Sequence, residues 1–254
     1  VGKTVVRMGI FMALLGIILA TANKVFAFKY IDGISNYTTF YAQEDDTVDV
    51  LILGSSCAFV NFNNGTLYED YGIASYTLGG AIQTMWNSYF ALKEALKTQK
   101  PELIVLEGFC LQFASEYSDD SRIIKNTYGM KWSANKIEAI KVSSEKERVW
   151  EFMIDYAQYH TRYTELEKGD FISDLGSEGT DNNWFGDSWK GQYLMNKTVP
   201  QTFADVSTVN YEKELYSKTE EYYRKTIELA QENDIPITIV VVPQKSPVNT
   251  EWSF

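Results

Sequence analysis

Val48-Asp-Val-Leu-Ile-Leu53 is aliphatic at nearly every position and stops at Gly54-Ser55-Ser56. A half-buried strand alternates apolar and polar side chains, so an unbroken apolar run marks a strand covered on both faces, and such strands belong to parallel sheets. The pattern recurs. Ser75-Tyr-Thr-Leu78 before Gly79-Gly80 reads as a second short strand, Leu103-Ile-Val-Leu106 after Pro101 as a third, and Ile237-Thr-Ile-Val-Val-Val242 as a fourth. Between them, Gln83 to Lys97 carries Met85, Tyr89, Leu92 and Leu96 at helical spacing. Tyr211 to Asn233 is helical too, with Tyr223, Ile227 and Ala230 on one face and Asp234 and Pro236 ending it. Strands alternating with helices predict an α/β fold with a doubly wound parallel sheet. Residues 30–47 read as a connector without clear period. Residues from about 110 to 210 read as a long helical and irregular insertion containing Trp132, Trp150, Trp184 and Trp189.

The stretch from Met8 to Asn23 is uncharged, and Gly9-Ile-Phe-Met-Ala-Leu-Leu-Gly-Ile-Ile-Leu-Ala20 is apolar on every helical face. Val5, Val6, Val25, Phe26 and Phe28 lengthen it, and Arg7 and Lys24 are placed to snorkel, so residues 1–29 read as a single spanning anchor. Lys3 and Arg7 before the core favour a cytoplasmic amino terminus and an extracytoplasmic bulk, a bias weakened by Lys24 and Lys29. Two alternatives stay open: a cleaved signal peptide, since Ala20-Thr21-Ala22 has the small-x-small form, and a buried helix of a soluble protein. The chain begins with Val1 and closes at Trp252-Ser253-Phe254 just after the fourth strand, which reads as an excerpt of a longer protein.

Composition removes several chemistries. With 254 residues, 45% of them hydrophobic and 22% charged, the chain is long and apolar enough for a packed core. A formal charge of -11 repels phosphate backbones, so nucleic acid is not an expected partner. Two cysteines, Cys57 and Cys110, are too few for a structural zinc site, and one histidine, His160, forbids a multi-histidine metal centre. No metal and no cofactor are expected. A Ser-His-Asp triad inside this chain has only His160 to use; otherwise its base lies elsewhere. The sequons at Asn36, Asn64 and Asn196 are read as chance matches.

Ligands of open α/β sheets bind beyond the carboxyl ends of the strands, where neighbouring crossovers diverge. Three clusters fall there: Gly54-Ser55-Ser56-Cys57, Gly79-Gly80 and Glu107-Gly108-Phe109-Cys110. With strand order 2-1-3-4 the first and third face each other across the switch point. Ser56 would then be exposed, with backbone N–H groups of Ser56 and Gly79 or Gly80 placed to stabilise an oxyanion. The simpler reading has these residues only turning the chain. Cys57 and Cys110 would lie on neighbouring strand ends, where they are a disulfide, two unpaired small residues, or, in the case of Cys57, a thiol nucleophile.

Asp49-Val-Leu-Ile-Leu-Gly-Ser-Ser-Cys-Ala58, Tyr71-Gly-Ile-Ala-Ser-Tyr-Thr-Leu-Gly-Gly-Ala-Ile-Gln83 and Lys100-Pro-Glu-Leu-Ile-Val-Leu-Glu107 resemble the SGNH (GDSL-like) hydrolase superfamily, most of all its membrane-anchored DltD-like and MBOAT-associated members. Tyr159-His-Thr-Arg-Tyr-Thr-Glu-Leu-Glu-Lys-Gly-Asp-Phe171 is similar to a motif in the middle region of those proteins. The resemblance implies a flavodoxin-like SGNH core over 48–254, with Ser56 as nucleophile and Gly79 or Gly80 at the oxyanion hole. Glu107, His160 and Arg162 are then candidates for substrate contact. It further implies a serine esterase or O-acyltransferase acting on acyl groups of cell-envelope polysaccharide or teichoic-acid-like polymers, beside a membrane-bound O-acyltransferase. Two departures stand out: Glu107-Gly108 replaces the family's Asn after the third strand, and no Asp-x-x-His occurs. A serine without a base is a weak nucleophile, so the chain as it stands is expected to be inactive, its carboxy-terminal acid and base lying beyond Phe254. The alternative function is a non-catalytic glycan-binding or assembly module on the same scaffold. A periplasmic solute-binding domain lacks a second matching lobe.

Overall fold

A computed structural model describes residues 2–27, 34–172, 190–193 and 214–242. Its elements are α1 (Gly2–Phe26), α2 (Ile34–Tyr41), β1 (Val50–Gly54), α3 (Ser56–Asn61), α4 (Asn64–Tyr71), β2 (Ser75–Gly79), α5 (Met85–Ala95) and β3 (Leu103–Glu107). There follow α6 (Asp120–Thr127), α7 (Ala134–Ser143), α8 (Asp155–Tyr159), α9 (Lys168–Ile172), α10 (Ser217–Glu232) and β4 (Ile237–Val240), with short 3-10 helices at Gly108–Gln112, Lys146–Phe152 and His160–Thr164.

The four strands form an all-parallel sheet in the order β2-β1-β3-β4, the order on which the facing of the first and third strand ends depends. In register, Gly54 lies opposite Gly79 and Leu53 opposite Leu106. The two-residue period of the strands sorts the side chains. Leu51, Leu53, Leu78, Ile104 and Leu106 join the main core with Met85, Trp86, Leu92 and Ala230 of α5 and α10. Ile52 and Val105 face the other way, onto Ala58, Phe62 and Leu67 around α3 and α4. Both faces are therefore apolar, which is why the sequence shows runs rather than alternation.

The segment 30–47, expected as a connector, is corrected in part. Its residues 34–41 are α2, which sends Tyr37 and Phe40 into the main core. Asn36 donates from Nδ2 to the Gly79 carbonyl at 2.8 Å. Asn36 and Asn64 are buried, in keeping with sequons matched by chance. The insertion contributes α6 to α9. Of its tryptophans Trp132 and Trp150 are exposed, and Trp184 and Trp189 lie outside the described residues. The outer edge of β2 meets Lys190–Tyr193, where the Lys190 carbonyl accepts from Thr77 N–H at 3.0 Å. Gly191 is required there: its φ is +77°, and a Cβ would stand 1.9 Å from the Thr77 carbonyl oxygen.

α1 is long and apolar enough to cross a membrane and buries none of its apolar length. The one hydroxyl of its uncharged run Met8 to Asn23, on Thr21, is satisfied by the Ile17 carbonyl at 2.8 Å. The far end of α1 is clasped by the insertion. Asn23 donates to Asp155 Oδ2 at 2.7 Å and accepts from Tyr156 N–H at 2.9 Å. Arg162 donates to the Phe26 carbonyl at 2.7 Å, and Phe26 meets Tyr156 edge to face at 5.1 Å.

Candidate functional site

The carboxyl ends of β1 and β3 are tied together by one buried carboxylate. Glu107 Oε2 accepts from Ser55 N–H at 3.2 Å and from the Ser55 hydroxyl at 2.8 Å, while Oε1 accepts from Phe109 N–H at 2.6 Å. Ser55 Oγ in turn accepts from Cys57 N–H, capping α3. Gly54 makes the approach feasible: a Cβ there would sit 2.5 Å from Glu107 Cβ, at a φ of +152°. Ser55 and Glu107 are each essentially inaccessible. Glu107 is thus a brace, and the expected substrate contact is corrected.

Bracing Ser55 inward leaves Ser56 outward. Ser56 is the first residue of α3 and is partly exposed, and its hydroxyl makes no hydrogen bond among the described residues. Its N–H has no carbonyl of the helix to bond. Beside it, Gly79 pairs with Gly54, and a Cβ on Gly79 would come within 2.9 Å of the Gly54 oxygen. Gly80 is a different case: its N–H already donates to the Gly54 carbonyl at 3.2 Å, so it is not a free oxyanion donor, and that expectation is corrected. The turn it opens holds Ile82 at a φ of +51°, a strained conformation for a β-branched residue.

Asn126 carries no motif that would single it out. It reaches in from α6 so closely that a Cβ on Gly80 would fall 2.1 Å from its Oδ1. Asn126 Nδ2 donates to the carbonyls of Ala81 and Arg122, and Oδ1 is buried without a partner. Nothing in the local pattern of α6 marks it, because its importance comes from a contact 46 residues away in the chain.

The remaining candidates are not gathered at Ser56. His160 is exposed in the 3-10 turn after α8, with Nδ1 3.1 Å from the Ala157 carbonyl and its ring 5.9 Å from that of Tyr156. Arg162 pairs with Asp170 at 3.0 Å and holds the end of α1, so its assignment to substrate is corrected to a structural one. Cys57 and Cys110 are not bridged, so of the three readings offered for them the disulfide is set aside. The Cys110 thiol is turned into the core, 2.9 Å from the Glu107 carbonyl and 3.2 Å from Met85 Sδ, and burial drives its pKa far up. Among the described residues no group of acidic, histidine and cysteine side chains could hold a metal ion. A cavity of about 480 Å³ lies elsewhere, around Asn64, Tyr68, Ser75 and Lys190 toward the amino end of β2. No family model, no curated protein and no solved structure matches the chain.

Proposed function

We propose that the protein is a membrane-anchored serine esterase or O-acyltransferase with Ser56 as its nucleophile. The observation that carries this reading is the contrast within one dipeptide: Ser55 is buried and bonded three ways, whereas the Ser56 hydroxyl is outward, unbonded among the described residues and at the end of a central parallel strand. A structural turn needs the first serine but makes no use of the second. In the proposed reaction Ser56 Oγ attacks an acyl carbonyl, its proton passes to a base, and Ser56 N–H at the start of α3 receives the oxyanion. Water or an acceptor hydroxyl then releases the acyl group. No base is bonded to Ser56 among the described residues, so activity requires one to be brought to it.

The substrates proposed are acyl groups of cell-envelope polysaccharide or teichoic-acid-like polymers, handled beside a membrane-bound O-acyltransferase. The resemblance of the three strand-end motifs supports this, as does α1. A retained anchor, rather than a cleaved signal, is supported by Ala20-Thr21-Ala22 lying inside a continuous helix whose next residue, Asn23, is bonded into the insertion. The bulk is proposed to be extracytoplasmic on a single-pass membrane protein.

A second reading, a non-catalytic glycan-binding or assembly module, is favoured by the engaged Gly80 N–H and by Glu107 acting as a brace where the family has Asn. A fluorophosphonate probe applied to the full-length protein separates them. Covalent labelling of the protein that disappears in Ser56→Ala supports the enzyme. Labelling that persists in the variant removes Ser56 from the mechanism, and no labelling of either form favours the binder.

A further inference from the structure

The elements that clasp the end of α1 also carry a concentration of outward apolar side chains. Trp150, Ile154, Tyr156, Tyr163, Phe171 and Ile172 are all exposed, Tyr163 at 71% and Ile172 at 68%. They come from the 3-10 helix Lys146–Phe152, α8 with its capping residue Ile154, the 3-10 helix His160–Thr164 and α9. The last three of these pack directly on α1, and the first packs on α8. Scattered exposed hydrophobes need no explanation, but six on contiguous elements around one helix end do.

We infer that this collar lies in the interfacial layer of the bilayer and holds the domain against the membrane, an assignment that rests on α1 being a membrane span. Its height follows from α1. The uncharged run Met8 to Asn23 covers about 24 Å at 1.5 Å per residue, and the flanking Arg7 and Lys24 extend it by snorkelling toward a hydrocarbon core of about 30 Å. Asn23 therefore sits at the boundary between acyl chains and headgroups. Tyr156 N–H and Asp155 bond Asn23 directly, and Arg162 bonds the Phe26 carbonyl, so their neighbours cannot stand more than a helical turn or two above that boundary.

The chemistry suits that depth. Trp and Tyr settle at the headgroup level, where an apolar ring meets a polar edge, and the aliphatic members reach toward the acyl chains. The occupant is lipid rather than a second copy of the chain because the patch is continuous with a helix already immersed in lipid. The charges between its members are mixed: Glu165, Glu167 and Lys168 are exposed, and Arg162 is paired with Asp170. The collar is therefore read through apolar partition, and anionic headgroups are not required.

The test uses the full chain in phosphatidylcholine nanodiscs, in a Cys57→Ala background where only the buried Cys110 remains. Nitroxide labels are placed singly at Tyr163→Cys and Ile172→Cys, at Leu14→Cys within α1, and at Tyr71→Cys on the exposed end of α4. Collision with oxygen is compared with collision with a water-soluble nickel chelate. The expected result is a lipid signature at position 14, an aqueous one at 71, and oxygen-to-nickel ratios at 163 and 172 several-fold above that at 71. A lipid signature at 14 with 163 and 172 as aqueous as 71 overturns the collar while leaving the anchor. An aqueous signature at 14 overturns the anchor and the collar together. Spin–spin broadening at 163 and 172 in discs carrying two copies, without oxygen enhancement, assigns the patch to self-association and overturns it too.

Discussion

Three donors converge on the Glu107 carboxylate, and a carboxylate offers acceptors only, so the geometry is matched to glutamate and not to its amide. Glu107→Gln sets an NH2 against at least one of those N–H or O–H groups in a site closed to water. The expected loss is about 1–3 kcal/mol of folding stability, measured as a lower urea midpoint with an unchanged slope. An unchanged midpoint would mean that the carboxylate is not the tie between β1 and β3. Lys136 offers a second residue-level test. It is buried, donates to the Tyr128 carbonyl at 2.8 Å and lies 4.7 Å from the Trp132 ring centre. Burial lowers its pKa to about 8. In the unfolded chain the amine keeps its proton to about pH 10.4, so between the two values the unfolded state binds more protons and stability rises with pH. The buried Cys110 thiol, which ionises from about pH 8.5 only in the unfolded chain, pulls the other way. Above pH 10 the buried Tyr128 and the half-buried Tyr159, whose pKa values burial raises, add to the downward pull as unfolded tyrosines ionise. The thiol acts alike in both proteins, so the expected outcome is a urea midpoint of the native sequence that gains on that of Lys136→Met from pH 8 to about 9.5.

Between elements, the contact of α6 with the turn after β2 is the most exposed to test. Gly80→Ala drives a methyl group onto Asn126 Oδ1 and is expected to destabilise by about 1–3 kcal/mol, as overpacking does. Asn126→Ala loses two hydrogen bonds to carbonyls but opens the space. The double variant should therefore lose less than the sum of the singles, with a coupling above about 0.5 kcal/mol in a double-mutant cycle, and strict additivity would refute the contact. Elements differ in how plainly the chain announces them. β1 and β3 were legible because burial on both faces leaves an unbroken aliphatic run. α10 was legible as a helix, but its buried face was misjudged by one residue. The face expected from Tyr223, Ile227 and Ala230 is instead Thr219, Tyr222, Thr226 and Ala230. Two threonines can line a core face because Thr219 bonds the Phe113 carbonyl and Thr226 the Tyr222 carbonyl, a compensation that hydropathy does not register. α2 was missed because its eight residues carry little apolar period of their own, and its docking on β2 decides it. The positions of Ser56 and Gly79 at strand ends were legible too. Asn126 was not, since only tertiary folding brings it there.

At the scale of the whole molecule, two bodies of different solvent preference are joined at one place. Ala27 at the end of α1 packs on Tyr128, with Ile124 and Tyr159 beside it, and two residues before Tyr128 along the same chain is Asn126 against Gly80. A single short helix, about 12 Å long, thus touches both the root of the anchor and the rim of the sheet. With α1 in a bilayer, that makes α6 a gauge block. Under the proposed function it keeps Ser56 low over the lipid, so acyl groups held close to the surface would come within range and those carried high on a polymer would not.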